Sequence, residues 1–405
     1  MKKIKSFIYQ IVTLFAFLAI LFIPFSFQYS TIQSAITKFL FEDLIVCTAK
    51  KAGNILIVNP EISSDSATLY LLFFILFLIA VIAVSILSFF DFWKTHKNFI
   101  FKAIQLIITY YLACVMLKYG FNKIFKSQFY LPEPNTLFTP LGMLDKDILF
   151  WSTMGTSYSY NVFMGLMEVI PALMLLYHRT RILGLFILSG VLLNVVFINF
   201  GFDISVKLYS SFLLFLCLLL LSPFLKTIWQ FFILHKTTML NNFAEKKWIA
   251  SKSLRLILKT IVIFFIFMES LYPYLLRTQY NDDNEFRNEL HGAYEVLKTQ
   301  PENTQNTSVN QNIKRIFIHR QNYLIFQYQD DTMEDFYLEI NPVKKQFVLK
   351  GYKGETIVFE YKYSQNSKIL ELKSIETGIS IHSKSLDWKK LPLLKPLFHW
   401  TVDEI

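Results

Sequence analysis

The chain has few charged residues and few cysteines, and each shortage excludes common classes of protein. Only 17% of its 405 residues are charged, against about 25% in soluble domains. Its three cysteines, Cys47, Cys114 and Cys217, form no CxxC pair and no metal-ligand spacing. The composition argues against a soluble enzyme, and the cysteines argue against a paired-thiol oxidoreductase or a disulfide-stapled domain.

Motifs that hold phosphate, haem or zinc are also missing from the sequence. No glycine-rich phosphate loop precedes a predicted helix, no serine–histidine–aspartate arrangement is recognisable, and the seven histidines are scattered. We therefore expect no resident metal or cofactor. A redox role would instead need a diffusible cofactor, such as a quinone dissolved in the bilayer.

What the chain does have is long apolar runs, since 54% of its residues are hydrophobic. A segment needs about 20 mostly apolar residues to cross a membrane. The first run is too long for a signal peptide and lacks a cleavage site, which favours an uncleaved span. The sequence predicts about seven spans: residues 7–27, 69–90, 99–118, 160–177, 182–201, 206–225 and 256–276.

Basic residues lie between these runs, in the distribution of membrane flanks rather than of a nucleic-acid-binding face. With a cytoplasmic N-terminus, the predicted inner segments hold 13 Lys and Arg residues and the outer loops hold six. The positive-inside rule favours this orientation. We expect a multi-pass protein of the inner (cytoplasmic) membrane, with residues 280–405 outside the cytoplasm and segment 226–234 as an interfacial extension of the sixth span.

Two outer loops of this arrangement are long, at residues 29–67 and 119–159. They contain Pro60, Pro132, Pro134 and Pro140, which favour turns over helix. Loops of this length are often functional. We expect these two to cap the outer face of the bundle.

The C-terminal part changes pattern to short segments in which apolar and polar residues alternate. Such segments, separated by turn residues, predict an antiparallel β-meander that closes into a barrel. A closed barrel leaves no exposed sheet edge. The predicted strands are residues 293–298, 314–319, 323–329, 335–340, 346–349, 356–363, 369–374 and 379–384.

Glu168 is the sharpest candidate for function, because an ionisable residue in a span is costly. It lies near the middle of the fourth span. Asn194 in the fifth span has a similar predicted depth, so the two side chains are candidates for a pair across adjacent helices. Two interpretations stay open: a structural hydrogen bond with a protonated carboxyl, or a proton- or ligand-binding role.

A second polar group is predicted at the outer ends of spans five and six, in NFGFDISVK. Asp203 and Lys207 are four residues apart and face each other on a helix. Asn199 precedes them, and Lys123 follows the third span. These residues are either structural anchors and salt bridges or, together with Glu168 and Asn194, the lining of a polar pocket that opens outward.

Residues 99–225 resemble the DoxX-type family of membrane proteins. The resemblance rests on Tyr119-Gly120-Phe121-Asn122-Lys123, on Gly165-Leu166-Met167-Glu168 with LLYHRTRILG after it, and on LLNVVFINFGFDISVKLYS. It implies a four-helix membrane bundle, to which spans one, two and seven are additions. Some members of the family are tied to thiosulfate:quinone oxidoreduction or to other membrane redox complexes.

The start of the C-terminal domain is similar to another family. Residues 290–296, LHGAYEV, resemble the Gly-x-Trp opening of lipocalin-like barrels, with Tyr294 in the place of the tryptophan. The resemblance implies either a barrel that holds a small apolar ligand or one filled by its own side chains. The many aromatic residues favour a filled barrel.

These observations lead to a functional hypothesis. The chain is expected to be a DoxX-like accessory component of an envelope redox or lipid-handling system, with the bilayer and an envelope redox partner as its contacts and no nucleic acid. Direct catalysis would make Glu168 a proton relay. Two alternatives stay open: a carrier of a small anion or lipid, and a membrane-anchored binding or assembly module. The predicted domains are 1–98, 99–225, 226–279 and 280–405.

Overall fold

The computed structural model describes residues 2–25, 27, 30–51, 53, 62, 64–239, 251–300, 313–376, 378–395, 400 and 401. They form two compact units. The helical unit comprises Met1–Gln128 and Ser159–Tyr280, and the β unit comprises Phe129–Tyr158 and Asn281–Ile405.

The α-helices follow the apolar runs of the sequence. They are α1 (Lys2–Phe22), α2 (Ser30–Lys51), α3 (Ala67–Leu87), α4 (Asp91–Ile124), α5 (Pro134–Leu137), α6 (Lys146–Gly155), α7 (Tyr158–Leu176), α8 (Arg181–Gly201), α9 (Lys207–Leu221), α10 (Leu225–Phe232), α11 (Lys252–Ser270) and α12 (Tyr272–Leu275). Short 3-10 helices cover Leu141–Met143, Ser222–Phe224, Asp282–Asn284, Trp388–Lys390 and Pro392–Leu394.

Among the described residues, six helical segments are long and apolar enough to cross a membrane, so the chain is a multi-pass membrane protein. They correspond to the first six predicted spans: Ile4–Phe22, Ala67–Leu87, Asp91–Ile124, Tyr158–Leu176, Arg181–Gly201 and Lys207–Phe232. The seventh predicted span is also helical, as α11. It differs from the six because every stretch of 18 residues within it contains at least three charged residues, Arg255, Lys259 and Glu269.

Helix α4 is the centre of the helical unit and contacts α1, α9 and α11. Its buried apolar residues recur every three or four positions, which is the spacing of one helix face. They include Phe101, Ile104, Ile108, Leu112 and Val115. Large apolar side chains elsewhere in the unit are exposed, Phe163 and Phe197 among them, as expected of helices that face lipid.

The first predicted outer loop, residues 29–67, contains the 22-residue helix α2 instead of only turns. Its Gln33 amide lies 3.0–3.1 Å from the carbonyl oxygens of Ile20, Leu21 and Ile23. Carbonyls at a helix end lack partners within the helix, so α2 is held by capping the end of α1. Pro60, which suggested turns here, lies outside the described residues.

The β unit is a closed antiparallel barrel, which confirms the predicted meander and all eight strands. The strands are β1 (Gly292–Gln300), β2 (Ile313–His319), β3 (Tyr323–Tyr328), β4 (Met333–Asn341), β5 (Gln346–Lys350), β6 (Thr356–Ser364), β7 (Ile369–Ser374) and β8 (Ser380–Leu386). Each pairs with its neighbours in sequence, and β1 pairs with β8. Phe326, Phe347 and Phe359 are fully buried in one apolar core, so aromatic side chains fill the interior.

Most of the second predicted outer loop, residues 129–158, forms one compact unit with the barrel. Outward-facing residues of β1–β3 pack against it in a second apolar cluster. Phe138 stacks on Phe317 at 5.9 Å, and Gln327 donates a hydrogen bond of 3.1 Å to the Phe138 carbonyl. The predicted 99–225 domain is therefore interrupted, and helices from 1–98 and 226–279 share one compact unit with its remainder.

Candidate functional site

A buried ion pair joins α4 to α7. The Lys123 ammonium donates hydrogen bonds of 2.9 and 2.8 Å to Oε1 and Oε2 of Glu168. The two side chains are only 6% and 2% exposed. Charges this well buried are costly unless they are paired, so each residue depends on the other.

Two glycines let the helices approach closely enough for this pair to form. A Cβ atom on Gly120 would lie 2.8 Å from the Gly165 carbonyl oxygen, and one on Gly165 would lie 2.6 Å from the Gly120 carbonyl oxygen. Any larger residue would push the backbones apart. Lys123 and Glu168 each follow their glycine by three residues, and this spacing places them on the contacting faces.

The position of each charge along its helix also matters. Lys123 lies in the last turn of α4, where the helix dipole favours a cation. Its ammonium is 5.6 Å from the centre of the Tyr119 ring. Glu168 lies about 15 Å along α7 from Tyr158, at 1.5 Å per residue. Helix α7 continues through Pro171 to Leu176, so it is not the broken helix that a carrier is expected to have.

A second ion pair links α4 to α11. Lys118 donates a 2.7 Å hydrogen bond to Glu269, and its ammonium lies 5.4 Å from the centre of the Phe27 ring. The side chains of Lys118 and Glu269 are 19% and 14% exposed. This pair was not predicted from the sequence. The sequence does contain a signal for it, because a lysine and a glutamate lie in two different apolar segments. The sequence does not show, however, which helices are neighbours.

The predicted pairing of Glu168 with Asn194 is wrong. Asn194 is exposed on α8, whereas Leu188 and Leu192 on the opposite face are buried. The pairing was predicted from similar depth in the membrane. Depth does not determine the rotation of a helix about its axis, and so it does not determine which way a side chain points. Asn199 is buried near the end of α8, and its amide nitrogen has no hydrogen-bond partner among the described residues.

The predicted Asp203–Lys207 contact is present at the start of α9, at 2.7 Å. A third residue, Asp65, completes this cluster. Its carboxylate accepts hydrogen bonds of 2.8 and 2.9 Å from the backbone nitrogens of Lys207 and Leu208, which caps the helix. The cluster is thus organised around a helix terminus, and Asp65 was hidden in the predicted 29–67 loop.

The β unit has its own charged cluster, which sequence analysis did not predict. Glu133, just before α5, is 2.8 Å from Nε2 of His291 and accepts a hydrogen bond from the Arg320 backbone. Asp282 accepts hydrogen bonds from the guanidinium groups of Arg287 and Arg320. These contacts fasten segment 129–158 to the barrel.

Burial and charge compete within this cluster. Burial disfavours ionisation of Glu133, but the hydrogen bond from His291, with the charges of His291 and His319, outweighs it and lowers the pKa of Glu133. Burial lowers the pKa of His319 below its usual 6.5, although Glu133 opposes this shift. At neutral pH, Glu133 is therefore ionised and His319 is uncharged.

A cleft of about 420 Å³ borders the cluster and is lined in part by Glu133, His291, Arg320 and Trp388. Its buried charges already pair with one another, which makes it a structural junction. Among the residues that the structure describes, no group of three His, Cys, Asp or Glu side chains is placed to hold a metal ion.

Of these clusters, the Lys123–Glu168 pair has the chemistry best suited to function. An ammonium and a carboxylate in direct contact can exist as an ion pair or, after proton transfer between them, as two neutral groups. Neither state has a net charge, so an apolar environment tolerates both better than a single charge. The arrangement can therefore hold a proton inside a helical bundle.

Comparison with known proteins gave one relative among curated sequences. The chain is 33% identical to "Uncharacterized protein YwoB" of Bacillus subtilis (strain 168) over 120 residues, which are 30% of this chain and 76% of YwoB. No protein-family model matches the chain. No solved structure matches it.

Proposed function

This chain belongs to the same family as YwoB of Bacillus subtilis, and we propose that it is an integral membrane accessory protein of an envelope redox or lipid-handling system. In this proposal the Lys123–Glu168 pair takes up and releases a proton within the bundle. The observation that carries the proposal is the near-complete burial of both side chains at hydrogen-bonding distance.

Cost is the first argument for this role. An ionisable residue within a span costs about 2.5–3.5 kcal/mol on insertion scales, and a purely structural contact between α4 and α7 needs no charge. The glycine contact already joins these helices. We infer that the charges are kept for what they do, which for a carboxylate beside an amine is proton exchange.

Membrane redox chemistry supplies a use for such a pair. Reduction of a quinone consumes protons, and a quinone ring lies in or near the hydrocarbon. Lys123 and Glu168 would hold a proton there, with the Tyr119 ring beside them. A lipid headgroup that carries phosphate would instead interact with the Lys123 ammonium. The DoxX-like resemblance agrees with the redox alternative and stays a prediction.

The topology of the β unit supports a defined orientation. Leu131 donates a 2.8 Å hydrogen bond to Asp283, and Glu133 binds His291, so residues 129–158 and 281–405 must lie on one side of the membrane. Helices α7, α8 and α9 give three crossings between them. We infer that α11 supplies a fourth, which gives seven spans in total.

The side on which the β unit lies follows from the basic residues. The predicted inner segments hold 13 Lys and Arg residues against six in the outer loops, which favours a cytoplasmic N-terminus. The barrel then lies outside the cytoplasm of the inner membrane. Its filled interior favours contact through its outer surface, so a binding or assembly role for the barrel is the second candidate function.

Photoaffinity labelling tests the main proposal. The full chain in liposomes is exposed to an azido-quinone and, separately, to an azido-phospholipid, and labelled peptides are mapped. We expect saturable labelling of α4 or α7 by one probe, reduced in Glu168→Gln. The matched control is Glu334→Gln, a substitution of the same kind in β4. The proposal would be overturned if the labelling did not saturate, or if it were the same in Glu168→Gln as in the unmutated protein. Labelling by the azido-quinone would favour the redox role, and labelling by the azido-phospholipid would favour lipid handling.

A further inference from the structure

One face of α8 carries a polar side chain where a membrane helix should be apolar. Asn194 lies about 10 Å from the end of α8 at Gly201, at 1.5 Å per residue, and it is exposed. Its amide has no hydrogen-bond partner within the described part of the chain. The neighbouring exposed residues on this face are Leu193 and Phe197, which are typical of a surface in hydrocarbon.

An unpaired amide in hydrocarbon is costly, because lipid tails offer no hydrogen bonds. Side chains such as asparagine satisfy this need by bonding across to another helix. An asparagine amide is also its own complement, since it contains both a donor and an acceptor. The partner that fits Asn194 best is therefore another asparagine at the same depth.

Membrane topology specifies where that asparagine is found. Two copies of one chain insert with the same orientation, so a two-fold axis along the membrane normal places their α8 helices parallel. Residues of equal number then lie at equal depth. In such an arrangement, Asn194 of one copy would lie opposite Asn194 of the other.

Gly190, one turn before Asn194, leaves space for this contact. A Cβ atom built on Gly190 has no other atom within 4 Å, so the glycine is not needed for packing inside one copy. Small residues one turn from a polar residue allow two membrane helices to approach closely. The open space beside Gly190 is an observation independent of the Asn194 amide, and Gly190 lies on the same face of α8.

We propose that the exposed face of α8 is the interface between two copies of this chain, closed by reciprocal hydrogen bonds between their Asn194 amides. The interface is separate from the Lys123–Glu168 pair on α4 and α7 and does not depend on the proposed function.

Energy transfer between labelled copies tests the interface. The full chain is labelled at the exposed Cys47, after replacement of Cys114 and Cys217 by alanine, and its association is measured in liposomes over a range of protein-to-lipid ratios. Asn194→Leu should raise the ratio needed for half-association about tenfold, as expected for loss of two interhelical hydrogen bonds. Asn194→Gln should retain most of the association, and Leu173→Ala, on the exposed face of α7, should not change it.

Cysteine crosslinking gives a second test that keeps Asn194 intact. A disulfide forms only when the two Cα atoms lie within about 7 Å. Gly190→Cys should crosslink two copies under mild oxidation, and Ile170→Cys on the exposed face of α7 should not. The proposal would be overturned if energy transfer in the unmutated protein were no greater than random mixing gives, or if Asn194→Leu associated as the unmutated protein does. Equal crosslinking of Gly190→Cys and Ile170→Cys would also overturn it.

Discussion

The Lys123 ammonium contacts both carboxylate oxygens of Glu168, at 2.9 and 2.8 Å, although 45 residues separate the two in sequence. Each follows by three positions a glycine whose backbone touches the other helix. Close backbone contact and charge pairing are therefore parts of one arrangement, and each can be tested separately.

Gly165→Ala should destabilise the helical unit. The added Cβ would lie 2.6 Å from both the Gly120 carbonyl oxygen and Cγ1 of Ile124, and overpacking of this kind costs about 1–3 kcal/mol. Thermal unfolding of the purified protein in detergent measures the change. Gly201→Ala is the control, because a Cβ there meets no atom within 4 Å. Equal unfolding temperatures for the two variants would contradict the close contact.

Removal of one partner of the ion pair should cost more than removal of both. Lys123→Met leaves a buried carboxylate without its cation, and breaking a buried pair typically costs about 3–5 kcal/mol. The double variant Lys123→Met, Glu168→Gln should recover part of this loss, since no unpaired charge remains. Chemical unfolding in detergent gives the free energy of unfolding of each single variant, Lys123→Met and Glu168→Gln, and of the double variant. The control is Lys94→Met, which breaks the exposed pair with Asp91 and should not measurably change the free energy of unfolding. If the losses in the two single variants add up to the loss in the double variant, Lys123 and Glu168 are not coupled.

The junction between segment 129–158 and the barrel should loosen as the pH falls. His319 has a pKa below its usual 6.5, so the unfolded state binds more protons and stability decreases as the pH drops below 6.5. Glu133 has a pKa below its usual 4.5, and its contribution is lost at still lower pH.

Hydrogen exchange of the full chain, corrected for its intrinsic pH dependence, measures this loosening in peptides from 129–138 and 313–320. His319→Gln should remove the loss of protection that begins near pH 6.5, and Glu133→Gln should remove the further loss of protection below pH 4.5. Protection that is unaffected by pH between 7 and 4 would be inconsistent with the cluster.

Single cysteines should report the seven-span topology. In a chain without native cysteines, Leu141→Cys and Phe286→Cys lie at exposed positions of the β unit and should react with an impermeant maleimide from the same side of the membrane. His235→Cys, exposed after α10, should react only from the other side. Labelling of Leu141→Cys and Phe286→Cys from opposite sides would show that α11 does not cross.

Much of the fold could be predicted from the sequence because it depends on local patterns. Six spans follow from the length of apolar runs, and the eight strands follow from alternation with period two. The assignment of 129–158 to the barrel could not be predicted, because it depends on contacts such as Phe138 with Phe317, between residues far apart in sequence.

The candidate site shows the same division. Lys123 and Glu168 were both identified, since charges near or within spans are rare and costly. Their pairing was missed because it depends on which helices are neighbours and on their rotation. Asn194 was assigned to Glu168 on depth alone, and rotation of α8 places it on the opposite, exposed face.

Infrared difference spectroscopy of the full chain in liposomes tests the central claim most directly. A protonated carboxyl group and a carboxylate absorb at different frequencies, so a pH titration shows whether Glu168 exchanges a proton. We predict a reversible carboxyl band that is present in the unmutated protein, absent in Glu168→Gln and shifted in its titration in Lys123→Met. A spectrum in which Glu168→Gln removes no pH-dependent band would contradict proton exchange at this pair.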